Sequence, residues 1–186
     1  MAKIVLVTGG SRSGKSRYAV KLAESLGGRR VFVATCPVVD DELRERVRRH
    51  QQERASRQWE TIEEPVDLAG VLSARADCEV VLVDCLTLWV NNLMYEAERR
   101  GEGIDEDAVA GLMSGVLAVC RRRRGVVIFV TNEVGMGVVP ENASARKYRD
   151  LVGRCNQVAA AEADVVTLVT CGIPLTLKEK TGEEST

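Results

Sequence analysis

Short apolar runs alternate along the chain with longer amphipathic stretches. KIVLVT (3–8), RVFVAT (30–35), EVVLVD (79–84), VVIFVT (126–131) and DVVTLVT (164–170) predict strands, and their near-continuous apolar character suits strands covered on both faces. WETIEE (59–64) and PLTLKE (174–179) are weaker strand candidates. Apolar spacing of helical period falls at 15–26, 40–55, 66–75, 86–99, 106–122 and 143–162. This alternation is that of βαβ units, so the expected fold class is α/β with a mostly parallel central sheet. Residues 1–180 read as a single domain, with the charged, glycine-containing stretch 96–107 as an exposed connection inside it. The tail 181–186 is expected to fray.

Charge narrows the possible partners. With 26 Lys+Arg against 27 Asp+Glu, no global field draws the chain to nucleic acid or to an anionic membrane, and any anion must be captured locally. The first apolar run is too short for a signal peptide, and no run approaches the roughly 18 apolar residues of a membrane span, so a cytoplasmic protein is expected. The six cysteines are widely separated and form no zinc or redox spacing, which fits small buried residues in a reducing compartment.

Between the first strand and the first helix stands GGSRSGKS, comprising Gly9, Gly10, Ser11, Arg12, Ser13, Gly14, Lys15 and Ser16. It fits G-x-x-x-x-G-K-[ST] in the strand–loop–helix context that a phosphate loop needs. Glycines let the backbone wrap a polyphosphate, the helix N-terminus supplies positive potential, Lys15 reaches the β and γ phosphates, and Ser16 is suited to hold Mg²⁺. Asp84 closes an apolar strand in the Walker-B manner and is a second candidate for the metal; the competing reading makes it an N-cap for the helix at 86–99. Another strand delivers Asn132 and Glu133 to the same edge, where they could meet substrate or metal, or belong to a turn with capping side chains. The run Arg121 to Arg124 reads as solvated charge at a helix C-terminus.

The sole histidine, His50, falls within RVRRHQQER. At about 100° per residue it lies between Leu43 and Val47 on the helix's one apolar stripe, so it is expected to face the protein. An inward histidine is either a hydrogen-bonded structural residue or a nucleophile. Arg46, Arg49, Arg54 and Arg57 around it suit a phosphate-bearing ligand, and a neutral imidazole near a nucleotide could attack phosphorus.

Taken together, VTGGSRSGKSRYA, VFVAT followed by DDELRERVRRHQQER, WETIEEP, VLVDCLTLWVNNLM and VTNEVGMGVVPENASARKYRDLVGRCNQ resemble one family. It is the bifunctional adenosylcobinamide kinase/adenosylcobinamide-phosphate guanylyltransferase family of cobalamin biosynthesis. The resemblance implies a P-loop NTPase of RecA-like, three-layer architecture, assembled as a homotrimer. It also implies two reactions. A nucleoside triphosphate, GTP or ATP, phosphorylates adenosylcobinamide; GTP then donates GMP to adenosylcobinamide phosphate through a guanylyl-histidine. The family's histidine position matches His50, preceded here by Arg49 where members can carry a second histidine. Nucleotide contacts carry over to Gly9 through Ser16, to Ala34, Thr35 and Cys36, to Gln51, Gln52, Glu53 and Arg54, to Glu63 and to Asp84, the last standing where the family often has Glu. Two other readings share the phosphate loop: a single-function small-molecule kinase with a structural His50, and a nucleotide-hydrolysing switch subunit.

Overall fold

A computed structural model describes residues 1–36 and 59–180. The helix expected at 40–55, with His50 and Gln51 to Arg54, lies outside the described residues, as does the tail 181–186. The described elements run β1 (Lys3–Thr8), α1 (Lys15–Ser25), β2 (Arg30–Ala34), β3 (Trp59–Glu63), α2 (Leu68–Ala74), β4 (Val80–Asp84), α3 (Leu86–Arg99), α4 (Glu106–Arg122), β5 (Val126–Val130), a 3₁₀ turn (Val134–Met136), α5 (Ala143–Glu162), β6 (Val165–Thr170) and β7 (Ile173–Glu179).

The strands form one seven-stranded sheet in the order β3-β2-β4-β5-β1-β6-β7. All neighbours are parallel except β6 and β7. The exception follows from its connection: Cys171 and Gly172 both have positive φ (51° and 78°), a two-residue turn that reverses the chain with no room for a crossover helix. The weak candidates at 59–64 and 174–179 are both real strands, and both are sheet edges.

Side chains alternate across the sheet, as a period of two requires. Ile4, Leu6, Val81, Val83, Val127 and Phe129 join one core with Leu72 of α2, Trp89 of α3, Met113 of α4 and Leu151 of α5. Val5, Val7, Leu82, Ile128 and Val130 join a second core with Ala19 and Ala23 of α1. The result is a three-layer α/β sandwich of RecA-like type. Four of the six cysteines are buried, which agrees with their reading as small core residues, and burial pushes the Cys120 and Cys155 thiols up to about 12.

The reading of Arg121 to Arg124 as solvated charge holds for Arg122 and Arg124, which are exposed, and fails for the other two. Arg121 donates from Nη1 to Asp164 Oδ2 (2.8 Å) and from Nη2 to Asp164 Oδ1 (3.1 Å). Arg123 is buried and donates to the carbonyls of Arg75 (2.9 Å) and Cys78 (2.6 Å). The cause is positional. α4 ends where β5 begins, at the amino edge of the sheet, and loop carbonyls there need donors that the strands cannot supply.

Candidate functional site

The phosphate loop emerges from β1 at the carboxyl edge, beside the place where successive connections leave in opposite directions. Two of its three glycines, Gly9 and Gly14, are demanded by space and by dihedral angle. A Cβ on Gly9 (φ 156°) would collide with the Val169 carbonyl oxygen, and one on Gly14 (φ 91°) would lie 3.3 Å from Gly172 Cα. Gly172 N–H in turn donates to the Ser13 carbonyl (2.8 Å), so the β6–β7 turn braces the loop from behind. α1 then starts with no side-chain cap and no acidic residue in its first turn. Its N-terminal N–H groups and positive dipole end are thereby left to a ligand.

Two observations point to an anion. Lys15 is buried, and its Nζ donates to the Gly10 carbonyl (3.2 Å) while pairing with no carboxylate among the described residues. A buried ammonium without a counter-charge is costly unless something negative arrives. Ser13 Oγ, in the same loop, is buried without a hydrogen-bond partner.

Sheet register sets the rest of the edge. Glu63 pairs with Ala34, Ala34 with Asp84, Asp84 with Val130, and Val130 with Val7 just before the loop. Asp84 is therefore two strand spacings, about 10 Å, from the phosphate-loop strand, and Glu63 about as far again on the other side. Asp84 does not cap α3: the N-cap is Cys85, without a side-chain bond. Ser16 and Asp84 are hard oxygen donors of the kind Mg²⁺ takes alongside phosphates and water. Ala34 accepts from Glu64 N–H (3.0 Å). Thr35 is buried with its hydroxyl bonded to both the carbonyl and the N–H of Cys85 (2.8 and 2.7 Å), so its side chain fixes the edge from within. Cys36 is half-buried at the last described position before 59.

Glu133 lies against the phosphate loop. Its N–H donates to the Gly9 carbonyl (3.3 Å), and its Oε1 accepts from the Thr8 hydroxyl (2.7 Å). The turn reading of this segment applies further on, where Asn142 caps α5 by accepting from Ala145 N–H (3.0 Å).

Beneath the edge runs a buried polar belt that motif reading misses. Thr131 donates to Asn156 Oδ1 (2.6 Å), Asn156 Nδ2 to the Asn132 carbonyl (3.0 Å), Asn132 Nδ2 to Thr87 Oγ1 (3.4 Å), and Tyr148 OH to the Thr87 carbonyl (3.1 Å). Asn92 ties the Thr35 and Pro65 carbonyls together (2.8 and 2.9 Å). Burial pushes Tyr148 up to about 12, so it stays a donor. One signal was available: four apolar runs end in threonine, at Thr8, Thr35, Thr131 and Thr170, and the first three are buried while Thr170 is exposed. Asn132 Oδ1 is buried at this belt without a partner.

Known proteins resemble this chain in sequence and in fold. The family model for cobinamide kinase / cobinamide phosphate guanyltransferase matches residues 5–177. The bifunctional adenosylcobalamin biosynthesis protein CobU of Escherichia coli (strain K12) is 39% identical over 182 residues, covering 94% of this chain and 99% of that protein. The bifunctional adenosylcobalamin biosynthesis protein CobP of Pseudomonas aeruginosa is 37% identical over 174 residues, covering 93% and 96%. Among solved structures, a prototypical ATPase from the type III secretion system of pathogenic bacteria superposes with a TM-score of 0.57 at 12% identity. That match covers 90% of this chain and 51% of the ATPase, so the chain spans about half its length, and the likeness is one of fold.

Proposed function

The chain belongs to the cobinamide kinase / cobinamide phosphate guanyltransferase family, transferases of cobalamin biosynthesis, and from that premise we propose how its own residues carry the two reactions. The observation that supports the reading best is the buried Lys15, without a carboxylate partner among the described residues, within a loop whose backbone is shaped for a polyphosphate. A GTP or ATP triphosphate is held by the N–H groups of Gly9 through Ser16, with Lys15 on its outer phosphates. Ser16 and Asp84 would hold Mg²⁺, which when bound supplies positive charge to the phosphate oxygens. Glu133, braced by Thr8, takes the proton of the adenosylcobinamide hydroxyl as its oxygen bonds to the γ-phosphorus and the nucleoside diphosphate leaves.

In the second reaction His50 attacks the α-phosphorus of GTP and releases pyrophosphate. The phosphate of adenosylcobinamide phosphate then displaces the histidine, giving adenosylcobinamide-GDP. Glu63, Cys36 and Gln51 to Arg54 form the nucleotide's remaining contacts in this reading, and the active unit is a homotrimer. Among the described residues no helix is long and apolar enough to cross a membrane.

Incubation with [α-³²P]GTP tests the covalent step. Label that is acid-labile and base-stable is expected on the full chain and absent from His50→Ala, whose kinase activity is retained. Label persisting in His50→Ala would remove the histidine from the chemistry, and no label on the unsubstituted chain would leave a plain kinase. Light scattering on the same preparation reads the trimer as three times the mass of one chain.

A further inference from the structure

A second, differently built recess includes Gly135, two residues along the chain from Glu133. It lies between the outer face of α5, the first turn of α4 and the 3₁₀ turn, with a volume of about 310 Å³, and it is lined by Glu106, Gly135, Arg149, Asp150, Arg154 and Gln157. Building on the function proposed above, we propose that this cleft docks the acceptor, gripping the edge of the corrinoid through its primary carboxamide side chains.

Charge balance sets the ligand class. Two arginines face two carboxylates, so a polyphosphate would meet as much repulsion as attraction. A neutral carboxamide satisfies both, because its NH₂ donates to a carboxylate and its C=O accepts from a guanidinium or an amide. Arg149 and Asp150 already bond each other (3.1 Å). Glu106, Arg154 and Gln157 make no side-chain hydrogen bond or ion pair among the described residues, so acceptor, cation and amide all remain available to a ligand.

Position sets the role. Gly135 is two residues beyond Glu133, which bonds the phosphate loop, so the cleft opens within about 7 Å of chain from that contact. A ring edge held there leaves its hydroxyl-bearing arm to reach the γ-phosphate. Beside Gly135 stand Met136, Val138 and Val139, which are 80%, 94% and 60% exposed and offer apolar surface to a ring face. Their exposure would be a solubility cost without an occupant. The cleft is too small for a whole corrin, so it takes one edge.

Steady-state kinase assays on the full chain test this, with Arg154→Ala, Gln157→Ala and the conservative Arg154→Lys. The expected result is a KM for adenosylcobinamide raised about tenfold or more in Arg154→Ala. A smaller rise is expected in Gln157→Ala and partial recovery in Arg154→Lys. In all three, kcat and the nucleotide KM should stay within about twofold, since uniform acceptor binding alone is lost. An unchanged acceptor KM in both alanine variants overturns the assignment, as does a parallel rise in nucleotide KM. An acceptor effect accompanied by loss of oligomer mass on sizing also overturns it, by making the cleft a subunit contact. Absence of any adenosylcobinamide turnover by the unsubstituted chain strikes at the proposed function itself, and the cleft assignment falls with it.

Discussion

The two edges of the sheet differ in how many of their charged groups find a carboxylate partner. At the amino edge most charged groups are matched to one another, Arg29 to Asp77 and Glu60, Arg75 to Glu60, and Arg121 and Lys180 to Asp164, while buried Arg123 is met by the Arg75 and Cys78 carbonyls and keeps Nε and Nη1 without partners. At the carboxyl edge the pairing is left incomplete. Lys15 is buried without a carboxylate among the described residues, and Ser13 Oγ and Asn132 Oδ1 are buried without partners. A closed network contributes to stability because each charge is compensated, whereas unmet buried polar groups cost stability unless a ligand completes them. The parallel strands thus carry most of the ion pairing at one end and the candidate site at the other.

The strongest way to break this contrast is to remove Lys15. Lys15→Ala should reduce both phosphoryl and guanylyl transfer by about a hundredfold or more, since charge on the outer phosphates is lost in both. Its melting temperature should stay the same or rise, because an uncompensated buried charge goes with it. A large fall in melting temperature, read by calorimetry without nucleotide, would mean that the lysine is part of the fold's own support.

Glu133→Gln sharpens the comparison within the carboxyl edge. The amide keeps the Thr8 hydrogen bond but cannot take a proton, so kinase kcat should drop about a hundredfold or more. Guanylyl transfer to supplied adenosylcobinamide phosphate should change much less. Equal losses in both assays would assign Glu133 to shaping the loop through Gly9 rather than to proton transfer.

How far each edge could be read from the sequence follows from how local its parts are. The phosphate loop occupies eight consecutive residues from Gly9 to Ser16, so pattern alone locates it and its strand and helix neighbours. Asp84 was legible as a strand end, but only the position of the α3 N-cap at Cys85 removes its capping reading. The buried belt was not legible, because Asn92 meets Thr35 across 57 positions and Tyr148 meets Thr87 across 61. Arg121 was misread for the same reason, its partner Asp164 lying 43 positions away. The α5 cleft needs three elements brought together, and Glu106 of α4 lies outside the segment 130–157 that holds its other lining residues.

The smallest expected effect lies at the amino edge and should spare catalysis. Burial alone would push Asp164 up, but the Arg121 hydrogen bonds, the Ile4 N–H and the Arg121 charge more than offset it and hold the carboxyl at about 2. Its folded value is therefore below its unfolded one, so the stability it contributes is present above about pH 4 and is lost as pH falls toward about 2. With solvent screening at this rim, the contribution is about 1 to 2 kcal/mol. Asp164→Asn should lower the melting temperature by a few degrees at pH 7 and flatten the acid limb of the stability profile between pH 4 and 2. Both activities should remain near their original values under conditions where the variant is folded. A kinase or guanylyl-transfer defect in fully folded Asp164→Asn would show that the two edges are coupled through β1 and β6, whose register joins Ile4 N–H at one end to the phosphate loop at the other.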